Sequence, residues 1–115
     1  MGVSKDLVAA SAPPIVLAVL SQGEDYGYSI LRRIADASGG NLEWSEGMMY
    51  PLLHRLERLG LFTSRWGTGD GARRRKYYSI TDLGRGELAG QAVQWRIVLD
   101  TLHELSPRTA DGGIA

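Results

Sequence analysis

The sequence predicts a mainly α-helical fold with one small β-hairpin and a long closing helix. Three observations carry that reading. Apolar residues recur at helical spacing in three separate stretches before residue 60. Residues 60–81, GLFTSRWGTGDGARRRKYYSIT, alternate instead: Phe62, Ser64 and Trp66 are interleaved with Thr63 and Arg65, and Tyr78 and Ile80 resume the period of two after a basic run. Leu88, Ala92, Trp95, Leu99 and Leu102 then follow at spacings of 4, 3, 4 and 3, a heptad seam along one last helix.

Taken in order, residues 1–12 are small and polar with little pattern, and are expected to be a flexible lead-in. Pro13 and Pro14 suit a first helical turn, where a missing amide costs nothing. A first buried helix is therefore expected from Pro13, with Ile15, Val16, Ala18, Val19 and Leu20, ending near Gly23. In residues 26–38, YGYSILRRIADAS, one stripe holds Tyr26, Ile30, Leu31, Ile34 and Ala35, and Gly39 and Gly40 stop the helix. Leu42 and Trp44 alternate around Glu43 and predict a short strand. Ser45 caps a third helix, Glu46 to Leu59, whose positive end suits Glu46. Gly60 closes it. Gly67, Gly69, Asp70 and Gly71 supply the dihedral freedom of a hairpin tip. Thr81 and Asp82 open the last helix, which runs to about Leu105, and residues 106–115 read as a frayed tail.

The chain has 115 residues, enough for one domain. With no cysteine, disulfides and thiolate metal sites are excluded. The longest apolar stretch, Ile15 to Leu20, cannot span a bilayer, and no secretory signal is visible, so a cytoplasmic location is expected. Formal net charge is zero, but its distribution is uneven. Residues 61–80 carry Arg65, Arg73, Arg74, Arg75 and Lys76 against Asp70 alone, a local charge of +4. Residues 81–115 carry a local charge of −2. Screening confines each charge to within about 8 Å at physiological salt, so a partner meets the local field and not the sum. Four adjacent cations on a hairpin repel one another, and phosphate is the partner that makes use of them.

Projected at about 100° per residue, the third helix places Met49, Leu52, Leu53, Leu56 and Leu59 on a core face. Gly47, Tyr50, Pro51, His54 and Arg58 fall on the opposite arc. A solvated face explains such an arc by itself; Gly47, which lets a backbone come close, and Tyr50, which can donate to phosphate or pack on a base edge, favour a binding face. Two helices, a short connection and a basic hairpin describe a winged helix-turn-helix whose second helix enters the major groove of double-stranded DNA. The predicted organisation is a lead-in (1–12), a winged-helix domain (13–81), a dimerisation helix (82–105) and a tail (106–115).

The heptad seam, widened by Val93, Val98 and Leu105, needs a surface to cover it. Self-association is expected, with Leu88, Ala92, Trp95, Leu99 and Leu102 in the dimer interface, because a two-fold dimer presents two reading helices to a palindromic site. Trp95 has two readings. It is an interface aromatic, or two symmetry-related indoles wall a cavity with Ala92 and Leu99 that takes a planar aromatic effector.

YGYSILRRI, SEGMMYPLLHRLERLGL and SRWGTGDGARRRKYYSITDLGR together resemble the PadR-like transcriptional regulators, over a span from about Pro14 to Leu102. The single long terminal helix is similar to the smaller, multidrug-sensing subfamily. The resemblance implies a homodimeric repressor that leaves DNA on binding an aromatic or drug-like effector. It also places Tyr26 and Tyr28 in the second-helix motif, and Ser45, Gly47, Tyr50 and Pro51 in the reading-helix motif. Arg73, Arg74, Arg75, Lys76 and Tyr77 fall in the wing motif, and Trp95 stands where drug-sensing members have their pocket indole. Met48 stands where the family usually has Thr, and a thioether contacts a thymine methyl but donates no hydrogen bond.

Catalysis finds little footing: there are two histidines, His54 and His103, no cysteine, and no carboxylate pair at a useful spacing. No cofactor and no metal is expected. Two rival readings remain at this point. One is a winged-helix adaptor for a protein partner, which does not need an Arg-Arg-Arg-Lys wing. The other is a general architectural DNA binder, which zero net charge suits poorly.

Overall fold

The computed structural model describes residues 2–68 and 74–107. Gly69, Asp70, Gly71 and Arg73 of the expected hairpin tip, and the tail from residue 108 on, lie outside the described residues.

Helix α1 spans Lys5–Ser21, so it begins well before Pro13. Residues 5–12 are not a loose lead-in. Ser4 caps the helix, its hydroxyl accepting from the Leu7 amide at 3.2 Å, and Asp6 sits in the positively polarised first turn. Leu7, Ala9 and Ala10 are good helix formers. The two prolines sit inside the helix and leave the carbonyls of Ala9 and Ala10 without their usual donors. Both alanines are exposed, which leaves those carbonyls open to solvent. Ala12, Val16, Leu17 and Leu20 turn inward.

A two-residue strand, β1 (Asp25–Tyr26), leads directly into α2 (Gly27–Ala37). The strand expected around Leu42 and Trp44 does not form; these residues lie in a loop and pack partly against the core. The sheet order is β1-β3-β2: β2 (Phe62–Thr68) and β1 occupy the two edges of β3 (Arg74–Ile80). All pairings are antiparallel, with Asp25 opposite Tyr78, Tyr26 opposite Tyr77, and Phe62 opposite Ile80. A strand at residues 42–44 would find no free edge on β3.

Two glycine stops shape the helical part. After α2, Gly39 and Gly40 take φ of 62° and 84°, and their amides donate to the carbonyls of Asp36 and Ala35. After α3 (Glu46–Arg58), Gly60 at φ 82° donates to Glu57 and Leu61 donates back to Leu56. This is the Schellman arrangement, closed by apolar contact between its ends; Leu56 and Leu61 are both buried. Leu59 departs from its expected place. It lies at the edge of the core arc on the last residue before the turn, where no element covers it, and is 59% exposed.

The core joins Ala12, Val16, Leu17 and Leu20 of α1, Ile30 and Ile34 of α2, Met49, Leu52, Leu53 and Leu56 of α3, and Leu61, Phe62 and Tyr78. Helix α4 (Asp82–Leu105) starts against this body. Thr81 caps it, accepting from the Gly84 amide at 3.0 Å and donating to the Gly60 carbonyl at 2.7 Å. Gly84 is buried, and a β-carbon there would collide with the Leu61 carbonyl. The close approach seats the helix beside α1, where Arg85 reaches the Ser21 carbonyl at 3.5 Å. Leu88 therefore packs partly against its own core, so the start of the heptad seam is partly covered within the chain. Farther along, Trp95 is half-buried while Ala92, Leu99 and Leu102 are exposed. No helix among the described residues is long and apolar enough to cross a membrane.

Candidate nucleic-acid interface

Strand alternation divides the wing into two chemically different faces. One face holds Phe62, Ser64, Trp66 and Thr68 of β2 with Ile80, Tyr78, Lys76 and Arg74 of β3, paired residue for residue. Phe62 and Tyr78 on this face are buried against the helices. The other face holds Thr63, Arg65 and Gly67 with Ser79, Tyr77 and Arg75, and Tyr26 of β1 beside Tyr77. Within the basic run, Arg75 thus lies on the side opposite Arg74 and Lys76.

The second face is a packed cluster. Arg65 makes a two-pronged ion pair with Glu24, Nε at 2.8 Å and Nη2 at 2.7 Å, and the Ser79 hydroxyl donates to the same carboxylate at 3.2 Å. That bond to Arg65, its largest cause, holds the Glu24 carboxyl below the usual range. The Arg65 guanidinium lies 4.9 Å from the Tyr77 ring centroid, and Arg75 lies 4.4 Å from that of Tyr26. Tyr26 and Tyr77 meet edge to face at 5.6 Å. Gly67 leaves room here: a β-carbon would come within 2.8 Å of Tyr77 and 2.9 Å of Arg65. Tyr77 is thus a wing-packing residue, held between Arg65 and Tyr26.

Between the wing and the helices runs a cleft of about 730 Å³, lined by Tyr26, Gly27, Tyr28, Glu46, Tyr50, His54, Trp66, Arg74, Arg75, Lys76 and Tyr78. Arg74 stacks on Trp66 at 5.0 Å to the ring centroid. Tyr28 is 52% exposed and accepts a hydrogen bond from Arg32 at 3.3 Å. Tyr78 is fully buried, and burial, with the Glu57 charge second, pushes its phenol up to about 12. Its hydroxyl has no hydrogen-bond partner among the described residues.

Helix α3 presents three different sides. Gly47, Pro51, His54 and Arg58 lie together on the exposed side, as expected. Ser45 uses its hydroxyl as the helix cap, accepting from the Met48 amide at 3.2 Å. Met48 is half-buried against the core. Tyr50 does not belong to the outer arc where the projection placed it. It is half-buried on the flank that looks across the cleft, on the same side as Glu46 and Glu57, and its ring lies against Gly27. Burial, and then the Glu46 charge, raise the Tyr50 phenol above its ordinary value, so at neutral pH it remains a proton donor. A β-carbon on Gly47 would meet only the Ser45 hydroxyl, at 3.8 Å, so the helix surface there is open to an incoming backbone.

The structure therefore brings Tyr26, Tyr28, Tyr50, His54, Arg74, Arg75 and Lys76 into one cleft, with Gly47, Pro51 and Arg58 on the adjacent helix face. Gly27, Glu46, Trp66 and Tyr78 line the cleft without having been singled out beforehand. Their signal was partly present. Glu46, Tyr50 and Glu57 recur at helical spacing, and Trp66 alternates with the wing's outer residues.

An exposed helix face beside a three-stranded sheet with arginines along the cleft defines a winged helix of the DNA-binding kind. The chain belongs to the PadR-like family of transcriptional regulators, whose family model matches residues 16–90. A transcriptional regulator from Clostridium thermocellum is similar over 91% of this chain and 99% of its own, with 26% identity and a TM-score of 0.83. A PadR-like regulator from Bacillus cereus shares 29% identity over 88% of this chain and 96% of its own, with a TM-score of 0.76. A PadR family regulator from Eggerthella lenta shares 34% identity over 86% and 87%, with a TM-score of 0.70. The protein is a DNA-binding transcriptional regulator of that family.

Proposed function

We propose that this protein is a homodimeric repressor that binds a palindromic operator and is released by a planar aromatic or drug-like effector. The observation that carries the reading is the cleft itself. Arg74 and Arg75 reach it from opposite faces of the wing, and across from them is a helix whose outer side offers Gly47, Pro51, His54 and Arg58. Seated in a major groove, that side reaches base edges while the wing meets phosphates on the flanking backbone. Tyr50 and Tyr28, held at the rim, donate to the same backbone. Arg73 belongs with this wing by sequence.

Dimerisation is supported by the second half of α4. Val98, Leu99, Leu102 and Leu105 are each more than half exposed, an apolar surface that a second copy would cover. Two copies joined there present two reading helices. Trp95 is half-buried between the part of α4 that packs at home and the part that does not, and on this reading it walls an effector cavity with Ala92 and Leu99. Such a regulator works in the cytoplasm, beside the chromosome.

Gel retardation with the DNA upstream of its own gene tests the reading. Retardation that survives excess random duplex is expected. Equal retardation of every duplex would make the protein an architectural binder, and none at all would leave a protein adaptor.

A further inference from the structure

Lys76 differs from its neighbours in the basic run. Its ammonium lies 3.8 Å from the Glu57 carboxylate and 5.6 Å from the Tyr78 ring centroid, and its side chain is 28% exposed. Arg74 and Arg75 rest on aromatic faces, with no carboxylate partner among the described residues. Glu57 lies near the end of α3 and also accepts a hydrogen bond from the Ser64 hydroxyl at 2.6 Å. Ser64 and Lys76 lie on the same sheet face, Ser64 paired with Tyr78 and Lys76 with Trp66, the next pair on that face. One carboxylate of the reading helix thus holds both strands of the wing.

A carboxylate beside a phosphate-binding cleft weakens binding to any DNA. Its presence points to discrimination. Phosphate contacts supply nearly all of non-specific affinity, while base contacts supply the difference between sequences. Withholding one cation therefore lowers the sequence-blind affinity for every duplex alike and leaves the base contacts as they are. Fixing the wing to α3 also fixes where the remaining arginines meet the backbone relative to the bases.

Resting on the DNA-binding reading above, we propose that Glu57 is a specificity-setting residue: it neutralises Lys76, removes one sequence-blind phosphate contact, and locks the wing to the reading helix. Lys76, on this assignment, does not touch phosphate in the native complex.

The test is fluorescence anisotropy of the full chain with the retarded upstream fragment and with a random duplex, over a series of salt concentrations. Glu57→Gln keeps a group that can bond Ser64 but frees Lys76. It is expected to steepen the log–log salt slope by about 0.9 and to tighten random-duplex binding up to about eightfold near 0.1 M salt. Operator binding should tighten less, because the loosened wing no longer holds its arginines in register with the bases read by α3, so the specificity ratio falls. Glu57→Asp, which keeps the charge, should stay near wild type in slope. The double variant Glu57→Gln/Lys76→Gln should return to the wild-type slope. An unchanged slope in Glu57→Gln overturns the proposal. So does a double variant whose slope is shallower than wild type by about 0.9, since Lys76 would then be a native phosphate contact. If Glu57→Gln does not fold, the double variant decides alone. A wild-type protein that binds neither duplex overturns the DNA-binding reading and this proposal with it.

Discussion

The ring of Tyr50 fills the place that a β-carbon on residue 27 would take: its hydroxyl oxygen lies 2.5 Å and its Cζ 2.7 Å from that point. Glycine at the start of α2 thus sets the pose of a tyrosine on α3. Gly27→Ala should push Tyr50 out toward solvent, costing about 1–3 kcal/mol through overpacking. Operator affinity should fall with it. Tyr50→Ala in the Gly27→Ala background should cost less than the sum of the single changes, because the clash is gone. Chemical denaturation of the four proteins in the cycle measures this, and strict additivity would contradict it.

Glu24 and Arg65 make the wing sensitive to acid. The folded-state pKa of Glu24 is lowered from 4.5, chiefly by its hydrogen bond to Arg65. A depressed carboxyl pKa contributes stability that is fully present above the unfolded value and is lost as pH falls through the folded one. The pair is exposed, so the contribution is small and weakens with salt. Glu24→Gln should melt slightly below wild type at neutral pH, and the difference should vanish at a pH below the folded pKa. Thermal melts of both proteins across that range check the sign.

The helices and the hairpin were legible because each rests on local signals. Apolar spacing located α2 and α3, and Ser45, Gly39 and Gly60 marked their ends. What escaped depended on partners distant in the chain. Nothing within LEW at 42–44 says that β3 already has both edges taken, and nothing in DY at 25–26 announces a strand. The first turns of α1 were hidden because prolines at 13 and 14 suggested a beginning, whereas exposed Ala9 and Ala10 let the helix run through them. At the site, the basic run was plain, but its division between two faces needs the register, and the pairings of Arg65 with Glu24 and Lys76 with Glu57 need the fold. Tyr50 was placed one flank away from where it sits, since a projection cannot show that Gly27 leaves it a berth.

Arg74 and Arg75 should act as phosphate contacts from opposite faces of the wing. Neutralising either to Gln is expected to make the salt slope shallower by about 0.9, and both together by about twice that. The loss should be alike on operator and random duplex. His54→Ala, on the exposed side of α3, should instead weaken the operator more than random DNA. If all three variants lose affinity equally on both duplexes, the division between wing and reading helix is wrong.

Trp95 distinguishes an effector cavity from plain packing. Trp95→Ala should abolish, or reduce by at least about tenfold, the affinity for planar aromatic compounds, since a stacked indole face contributes on the order of 1 kcal/mol or more beyond its buried area. Isothermal titration of wild type and variant with a panel of such compounds reads this directly. Binding that survives unchanged would leave Trp95 as an interface residue only.

The two halves of the α4 seam should respond differently to substitution. Leu88 packs against its own core, so Leu88→Ala should lower the melting temperature, at a cost of about 1–3 kcal/mol for a partly buried leucine, while leaving the oligomeric state alone. Leu99 and Leu102 are 53% and 60% exposed in the single chain, and burying a charge between two copies is costly. Leu102→Glu should therefore yield a monomer by analytical ultracentrifugation at concentrations where wild type is dimeric, with its secondary structure intact. The monomer should still bind a single half-site, but its affinity for the full palindrome should fall by about a hundredfold or more, because the second half-site no longer benefits from a tethered partner. A Leu102→Glu protein that stays dimeric would place the interface elsewhere on the molecule.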